Sequence, residues 1–278
     1  MPATPKPKLN GANLKAGQPM TVPAFMDAKR RGVRLTVLTA YDFTMARLFQ
    51  SAGVDALLVG DSLGMVVQGL ENSLTVTMDE MIYHSRMVAR GAPRCLIITD
   101  MPFMSYQVSP QQALENAGRL LKEGQAHAVK VEGGRRTAAA IAAIVAADIP
   151  VMGHVGLTPQ SVLRLGGFKV QRDEAKLIED ALAVQEAGAF SVVVECVPAE
   201  TTAKITEALK VPTIGIGAGP HCDGQVLVAH DMLGLCDDFH PRFAKQFADL
   251  GPQILQAAES YCKEVRGGTF PGTEHSFR

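Results

Sequence analysis

The feature of this sequence that most restricts its fold is a regular alternation of two kinds of segment. Short runs rich in β-branched and other apolar residues are typical of strands, and longer stretches with helical periodicity separate most of them. Eight strand-like runs occur, at residues 35–42, 55–61, 95–102, 128–133, 150–156, 191–197, 213–219 and 225–231. Helices are expected between them at residues 78–90, 110–123, 135–147, 173–187 and 199–209. This order predicts an α/β fold with a parallel sheet covered by helices.

Eight strands in one chain of this size predict closure into a single-domain (β/α)₈ barrel, a TIM barrel. The chain has 278 residues, and a barrel of this kind typically needs about 250. An open, doubly wound sheet is the alternative, and two smaller α/β domains would also fit the length. The link between the seventh and eighth runs is too short for a full helix, so no helix is expected there.

The segments outside the barrel are expected to be short. Residues 1–20 are rich in Pro and Lys and lack an apolar stretch, which predicts a flexible N-terminal tail and not a signal peptide. The barrel is predicted over residues 21–265. It would begin with a helix N-capped by Thr21 and end with a helix from Pro241 to about Val265. Residues 266–278 are predicted to form a C-terminal tail.

Charge and cysteine content indicate the kind of partner. Lys and Arg total 27 against 28 Asp and Glu, so there is no broad basic face for nucleic acid and no polybasic patch for a membrane surface. No uninterrupted apolar stretch approaches the ~20 residues of a membrane-spanning helix. The five cysteines include no CxxC pair, which argues against a disulfide framework and favours the reducing cytoplasm. The expected partners are small molecules.

Ionisable side chains stand at the ends of five successive strand-like runs, from the second to the sixth. They are Asp61, Asp100, Lys130 with Glu132, His154 and Glu195. Barrel enzymes build their active sites at the C-terminal ends of several strands, because those ends meet at one mouth. Lys130 and Glu132 lie two residues apart on one strand and therefore point to the same face. Charges that face a barrel interior are costly unless they are paired or bind a metal, so this pattern predicts an active site.

Three of these side chains offer only oxygen ligands. Asp61, Asp100 and Glu132 come from adjacent strands, and such ligands suit Mg²⁺, which takes one or two carboxylates and keeps several waters. Carboxylates crowded together repel one another, and a cation would keep them ionised. The alternative is that each carboxylate caps a following helix or pairs with Lys130.

The remaining candidates each have two interpretations. His154 is either a satisfied core histidine or a donor to the oxygens of a bound substrate. Glu195 lies in a strongly apolar run, where a carboxylate becomes a better base, and its alternative is an ion pair with Lys130 or Arg164. Lys130 would steady a substrate oxygen as a cation, although a lysine in such a place also suits a Schiff-base aldolase.

The motifs that carry these residues resemble those of the ketopantoate hydroxymethyltransferase family. In chain order they are LTAYD, VGDSLGMVVQG, TDMPFMSY, VKVEGG, GHVGLTPQ, VVECVP, IGIGAG and HDMLG, and they extend from about Leu35 to Phe239. The resemblance implies a (β/α)₈ barrel assembled as a homodecamer, cytoplasmic and active in pantothenate biosynthesis. It also implies two substrates, 3-methyl-2-oxobutanoate and 5,10-methylenetetrahydrofolate, with Mg²⁺ as the metal.

The resemblance further assigns roles to individual residues. It implies that Asp61, Asp100 and Glu132 surround Mg²⁺, directly or through water. The oxo acid would be held by Asp61 and Ser62 together with Asp100 and Lys130. Glu195 would accept the proton.

Two other functions are compatible with part of this pattern. A lyase of the isocitrate lyase and phosphoenolpyruvate mutase group would also use barrel-end carboxylates and Mg²⁺. The lyases of that group carry a catalytic Cys in a KKCGH motif, which this sequence lacks. The other alternative is a non-catalytic sensor that binds an oxo acid in its barrel. The sequence shows no stretch typical of DNA binding or signalling, which favours the enzyme.

Overall fold

The computed structural model describes residues 18–235 and 241–277. Its strands are β1 Leu35–Thr39, β2 Ala56–Val59, β3 Leu96–Asp100, β4 Ala128–Glu132, β5 Val151–Gly156, β6 Ser191–Glu195, β7 Thr213–Ile216 and β8 Gly224–Leu227. The strands are all parallel, each pairs with its neighbour in chain order, and β8 pairs with β1 to close the barrel. The predicted TIM barrel is therefore confirmed, and the open doubly wound sheet is excluded.

Helices precede β1, link most of the strands and follow β8. They are α1 Val22–Arg30, α2 Phe43–Ala52, α3 Leu63–Val66, α4 Met78–Gly91, α5 Pro110–Lys122, α6 Ala138–Val145, α7 Val162–Leu165, α8 Glu174–Glu186, α9 Ala199–Ala208, α10 Ala229–Leu233 and α11 Leu250–Arg266. A 3₁₀ turn, Arg135–Thr137, replaces the first residues of the helix predicted from residue 135. Residues 217–223, which the structure describes in full, contain no helix, as predicted for the link between β7 and β8.

Local signals in the sequence set several helix ends, among them the predicted start of α1. The Thr21 hydroxyl accepts a hydrogen bond from the backbone N–H of Ala24 at 3.3 Å and N-caps α1. Gly53 ends α2 with a φ of 89°, a left-handed conformation that glycine adopts without strain. At α4, Thr77 and Glu80 form a reciprocal capping box.

Two predicted boundaries near the C-terminal end are wrong. The run at residues 225–231 is a strand only to Leu227, and α10 begins at Ala229. The last helix begins at Leu250 and not at Pro241, and the described residues 241–249 are not helical. Pro252 explains the later start, because proline is tolerated in the first turn of a helix but not in its interior. A helix from residue 241 would have placed Pro252 in its fourth turn.

The described chain divides into two compact units, one ending at Leu227 and one beginning at Val228. Within the second unit, the backbone N–H of Phe247 bonds to the carbonyl of Met232 at 2.8 Å. The predicted extent of the barrel domain, residues 21–265, stays a prediction, and residues 1–17 of the predicted tail lie outside the described residues. Among the described residues, no helix is both long and apolar enough to cross a lipid bilayer.

The barrel interior is apolar towards the N-terminal ends of the strands and polar towards their C-terminal ends. One apolar cluster contains Phe25 of α1 and Phe190, whose rings meet edge to face with centroids 5.8 Å apart. On β4, Ala128 belongs to this cluster, and the next residues on the same face are Lys130 and Glu132. Burial of each large apolar side chain contributes about 1.5–3 kcal/mol. The apolar layer thus stabilises the barrel and leaves the other end for polar groups.

The same step from apolar to polar occurs on the neighbouring strands. It runs from Ile98 to Asp100, from Met152 to His154 and from Val193 to Glu195. Because parallel strands end at the same edge of the barrel, the four pairs of positions form two layers. The polar layer is the candidate site.

Candidate active site

The structure brings the predicted site residues together at the C-terminal mouth of the barrel. Five of them are almost fully buried, with 2–4% of their surface exposed: Asp61, Asp100, Lys130, Glu132 and His154. The side chain of Glu195 is 15% exposed and therefore lies closer to solvent. Ionisable groups this deeply buried need partners, and each has one among its neighbours in the site.

Lys130 is the central cation of the site. Its Nζ lies 3.1 Å from Oδ1 of Asp100, 3.4 Å from Oε1 of Glu132 and 3.1 Å from Nδ1 of His154. Burial alone would lower the pKa of Lys130, but the charges of Asp100, Glu132 and Asp61 outweigh it and raise the pKa above its ordinary value. Lys130 is therefore a permanent ammonium in this arrangement. Ion pairing with Lys130, the predicted alternative to metal binding, is observed for Asp100 and Glu132.

The three carboxylates of the site are not equivalent. Burial, reinforced by the charges of Glu132 and Asp100, raises the pKa of Asp61 to about 8. Burial also raises the pKa of Asp100, although Lys130 opposes the effect. Burial also acts to raise the pKa of Glu132, but the charge of Lys130 and the contact with His154 outweigh it and lower the pKa to about 2. At neutral pH the cluster without a further cation thus keeps a proton, with Asp61 its main carrier.

These carboxylates are the residues that could hold a metal. Among the described residues, no three or more His, Cys, Asp or Glu side chains are already arranged as a complete metal cage. Asp100 Oδ1 has no hydrogen-bond partner among the described residues, and its 3.1 Å contact with Lys130 is an ion pair without hydrogen-bond geometry. Mg²⁺ usually binds one or two carboxylates and keeps several waters, so an incomplete cage of oxygen donors fits it. The retained proton fits as well, because a divalent cation would displace it.

His154 links this cluster to Glu195. Its Nε2 lies 3.1 Å from Oε2 of Glu195, and its Nδ1 lies 3.5 Å from Oε1 of Glu132. Burial and the charge of Lys130 act to lower the pKa of His154, but its contacts with the carboxylates of Glu132 and Glu195 outweigh them and raise it to about 9. Nδ1 can accept from Lys130 when the ring is neutral and donate to Glu132 when the ring is charged. His154 thus has partners among the site residues, and its role as a donor to substrate oxygens stays a prediction.

The alternative interpretation of Glu195 is an ion pair with Lys130 or Arg164, and the described part of the structure shows neither pair. Within the described residues, no ion pair joins it to Lys130 or Arg164, and its only ion-pair contact is with His154. It ends β6, pairs in register with Gly156 and Ile216, and reaches the mouth from the strand beyond His154. The carboxylate therefore stands apart from the other three, with His154 between them.

Ser62 joins the site through a residue that sequence reasoning missed. Its Oγ lies 2.8 Å from the hydroxyl of Tyr41, which follows β1. Burial raises the pKa of Tyr41, so the phenol keeps its proton and can donate. Ser62 begins α3 without a side-chain cap, which leaves its hydroxyl directed to Tyr41. Tyr41 is part of the LTAYD motif, and its place after a strand was the signal available.

Gln160 is the second residue that sequence reasoning missed. Its Nε2 donates to Oδ2 of Asp61 at 2.9 Å and to the carbonyl of Met101 at 2.9 Å, and its backbone N–H donates to Oε2 of Glu132 at 3.1 Å. Its Oε1 accepts from the hydroxyl of Tyr106 at 2.6 Å. One buried residue thus orients two carboxylates, Asp61 through its side-chain amide and Glu132 through its backbone N–H. Gln160 ends the GHVGLTPQ motif, but a search for ionisable groups passes over a neutral side chain.

The overall architecture is shared with a group of enzymes of known structure. A phosphonopyruvate hydrolase solved with oxalate and Mg²⁺ is similar over 92% of this chain and 93% of its own, with a TM-score of 0.62 and 14% identity. A 2,3-dimethylmalate lyase, described as a member of the PEP mutase/isocitrate lyase superfamily, is similar over 92% and 91%, with a TM-score of 0.58 and 19% identity. At these identities the likeness concerns the fold alone.

Sequence similarity is far more specific. A protein of Trichlorobacter lovleyi named 3-methyl-2-oxobutanoate hydroxymethyltransferase is 58% identical over 261 residues, which cover 93% of this chain and 98% of that protein. A protein of Moorella thermoacetica with the same name is 56% identical over 93% of this chain and 98% of its own length. The profile of the family described as ketopantoate hydroxymethyltransferase matches residues 19–273. A match over nearly the whole chain means that the chain belongs to the ketopantoate hydroxymethyltransferase family.

Proposed function

We propose that this chain transfers a hydroxymethyl group to 3-methyl-2-oxobutanoate and yields 2-dehydropantoate, a step of pantothenate biosynthesis. Membership of the family and the names of its 55–58% identical relatives support the reaction. The observation that carries the mechanism is the separation of two kinds of group at one barrel mouth. A cation among carboxylates lies on one side of His154, and the lone carboxylate of Glu195 lies on the other.

The oxo acid would bind on the side of Lys130. Its carboxylate and keto oxygens need donors, and the ammonium of Lys130 and the hydroxyl of Ser62 are at hand in the buried mouth. Mg²⁺ would be held by Asp61, Asp100 and Glu132 and, when bound, would supply Lewis-acid polarisation of the keto group. Lys130 stabilises negative charge that develops on the substrate oxygen, and its permanent charge suits that role.

Glu195 is the proposed base. Enolisation removes a proton from C3 of the oxo acid while the oxygens are held elsewhere, so the base has to approach from a different strand. Glu195 on β6 meets this requirement, and His154 orients its carboxylate. The 15% exposure of the side chain gives it access to the mouth, whereas Asp61, Asp100 and Glu132 are almost fully buried.

The one-carbon unit would come from 5,10-methylenetetrahydrofolate. The methylene carbon exchanges its two bonds, to N5 and N10 of the folate, for one bond to C3 of the enolised acid and one to the oxygen of water. The two folate nitrogens take up two protons, one from C3 and one from that water. The products are 2-dehydropantoate and tetrahydrofolate. The resemblance also supports a cytoplasmic homodecamer, which sedimentation analysis of the purified protein would test.

The decisive test uses the purified wild-type protein. With 3-methyl-2-oxobutanoate, 5,10-methylenetetrahydrofolate and Mg²⁺, mass spectrometry should detect 2-dehydropantoate. With the oxo acid alone in D₂O, NMR should detect exchange of the C3 hydrogen, because enolisation precedes any step that involves folate. Absence of both reactions would refute the proposed function.

A further inference from the structure

A cavity of about 430 Å³ lies at the rim of the barrel mouth, beside the site. Its walls are the segment after β4, the segment after β5 and the first turns of α8. Gly133 lines it and directly follows Glu132, and Gly156 lines it and pairs in register with Glu195. The cavity therefore begins where two strands of the active site end. Its volume falls in the range of about 300–1,000 Å³ that small-molecule sites occupy.

The carboxylates in the cavity wall have partners in the protein, whereas three of its cationic side chains form no ion pair within the described residues. Its three carboxylates are all engaged: Glu179 pairs with Arg135 at 2.8 Å, Asp180 accepts from the backbone N–H of Arg135 at 2.8 Å, and Asp173 N-caps α8. Arg136, Arg164 and Lys176 also line the cavity. Within residues 18–235 and 241–277, no carboxylate lies within 4.0 Å of any of these three cationic groups.

The cavity also has an apolar floor. Val155 and Leu177 are almost fully buried and line it together with Leu165. Arg136 is held in place by a hydrogen bond of 2.9 Å to Oγ of Ser161, in the segment after β5. A ligand that suits both features has an apolar, planar part and one or more carboxylates.

We propose that this cavity binds the p-aminobenzoyl-glutamate tail of a folate-class one-carbon donor. The proposal rests on the proposed function, because that reaction brings a folate to the same barrel mouth. The residues proposed to hold the oxo acid do not line the cavity, so the cavity is left for the second substrate. The aromatic ring of the tail lies against the apolar floor, and its glutamate carboxylates face Arg164 and Lys176. Further glutamates on the tail extend past these cations into solvent.

Two neutralising substitutions test the proposal, Arg164→Gln and Lys176→Gln, singly and together. Both side chains are exposed, so their replacement leaves the packed core intact. Each should raise the KM for 5,10-methylenetetrahydrofolate about three- to tenfold, as expected for loss of a partly solvated charge contact, with kcat within about twofold. The increase should be larger for a triglutamate donor than for the monoglutamate. Lys204→Gln is the matched control, because its ammonium pairs with Glu174 outside the cavity wall.

A second measurement separates this proposal from the proposed function. Folate-independent exchange of the C3 hydrogen and the KM for the oxo acid should be unchanged in the Arg164 and Lys176 variants. Normal exchange and turnover in the wild type with an unaltered folate KM in the double variant would overturn the cavity assignment alone. Loss of exchange in the wild type would instead overturn the proposed function.

Competition experiments show which kind of ligand binds in the cavity. Free p-aminobenzoyl-glutamate should inhibit competitively against the folate substrate, and the double variant should lose that inhibition. Inorganic phosphate at equal concentration should inhibit much more weakly. Equal inhibition by phosphate would mean a general anion site and would overturn the assignment to the folate tail.

Discussion

The carboxylate of Glu195 lies 3.1 Å from Nε2 of His154, while the ammonium of Lys130 lies 3.1 Å from Nδ1 of the same ring. One imidazole thus separates the lone carboxylate of β6 from the charged cluster of β2 to β4. His154 keeps the carboxylate of Glu195 away from the ammonium of Lys130. Glu195 can therefore take up a proton in a separate part of the mouth. The proposed roles of Glu195 as base and of the cluster as oxygen-binding groups rest on this relationship.

Glu195→Gln should abolish proton abstraction and spare substrate binding. The amide keeps the shape of the side chain but cannot accept the C3 proton, so exchange in D₂O should fall by about 10²–10⁴-fold. The KM or Kd for 3-methyl-2-oxobutanoate should stay near that of the wild type. Glu200→Gln, at an exposed position of α9, is the control. Exchange at the wild-type rate in Glu195→Gln would exclude Glu195 and make His154 the next candidate base.

Removal of divalent metal should stop the reaction. Exhaustive treatment with EDTA is expected to abolish exchange and turnover, and added Mg²⁺ to restore both. Asp100→Ala should weaken Mg²⁺ binding, because it removes an oxygen that lacks a hydrogen-bond partner in the described part of the chain. Isothermal titration with Mg²⁺ measures this loss directly. Full activity after chelation would refute the metal-assisted mechanism.

Binding of Mg²⁺ should depend on pH through Asp61. Its pKa is raised to about 8 in the folded protein without metal, mainly by burial, and a carboxyl group must lose its proton before it binds a cation. The apparent affinity should therefore fall about tenfold for each pH unit below 8 and level off above it. Titrations in two buffers of different ionisation enthalpy should show release of about one proton at pH 7. An affinity that is constant between pH 6 and 8 would contradict the prediction.

The raised pKa of Asp61 also affects the stability of the metal-free protein. The folded state holds the Asp61 proton more tightly than the unfolded state does, since the folded pKa lies above the ordinary value of 3.8. This contribution to stability is therefore complete below about pH 4 and is lost as the pH rises through about 8. Added Mg²⁺ should offset the loss at high pH, and thermal melting with and without the metal would detect it.

Lys130 should not form an imine with the substrate. Its raised pKa and its contacts with Asp100 and Glu132 keep it protonated, whereas a Schiff-base lysine must lose its proton to attack a carbonyl. Borohydride added in the presence of the oxo acid should leave the protein mass unchanged. A mass increase localised to Lys130 would overturn the proposed mechanism.

Gln160→Ala should weaken the metal site without touching a ligand. The substitution removes the donor to Oδ2 of Asp61, and loss of such an outer partner typically costs about 10–100-fold in metal affinity. Unfolding should become easier by about 1–3 kcal/mol, because the Asp61 carboxylate and the Met101 carbonyl lose a buried donor. Gln107→Ala is the control, since the Gln107 amide donates to the oxygen of Gln160, at 3.2 Å, and not to a carboxylate of the site. Unchanged Mg²⁺ affinity in Gln160→Ala would refute the positioning role.

Much of the fold could be predicted because the signals are local and repeat along the chain. Apolar runs of strand length, Thr21 before α1 and Gly53 after α2 each act within a few residues. The two-residue period of a strand was enough to place Lys130 and Glu132 on one face. The last helix was predicted too early, because the periodicity from Pro241 outweighed the local constraint at Pro252.

The sequence by itself determined which side chains stand at the ends of the strands, since that follows from chain order and from the period of a strand. Only the closed barrel decided which of them meet. Gln160 donates to Asp61 across 99 residues of sequence, and His154 lies between Lys130 and Glu195 from two other strands. Such contacts depend on strand register and on side-chain rotamers, which are selected by packing across the barrel. Neither leaves a local pattern in the sequence, so the partners of each charge became visible only in three dimensions.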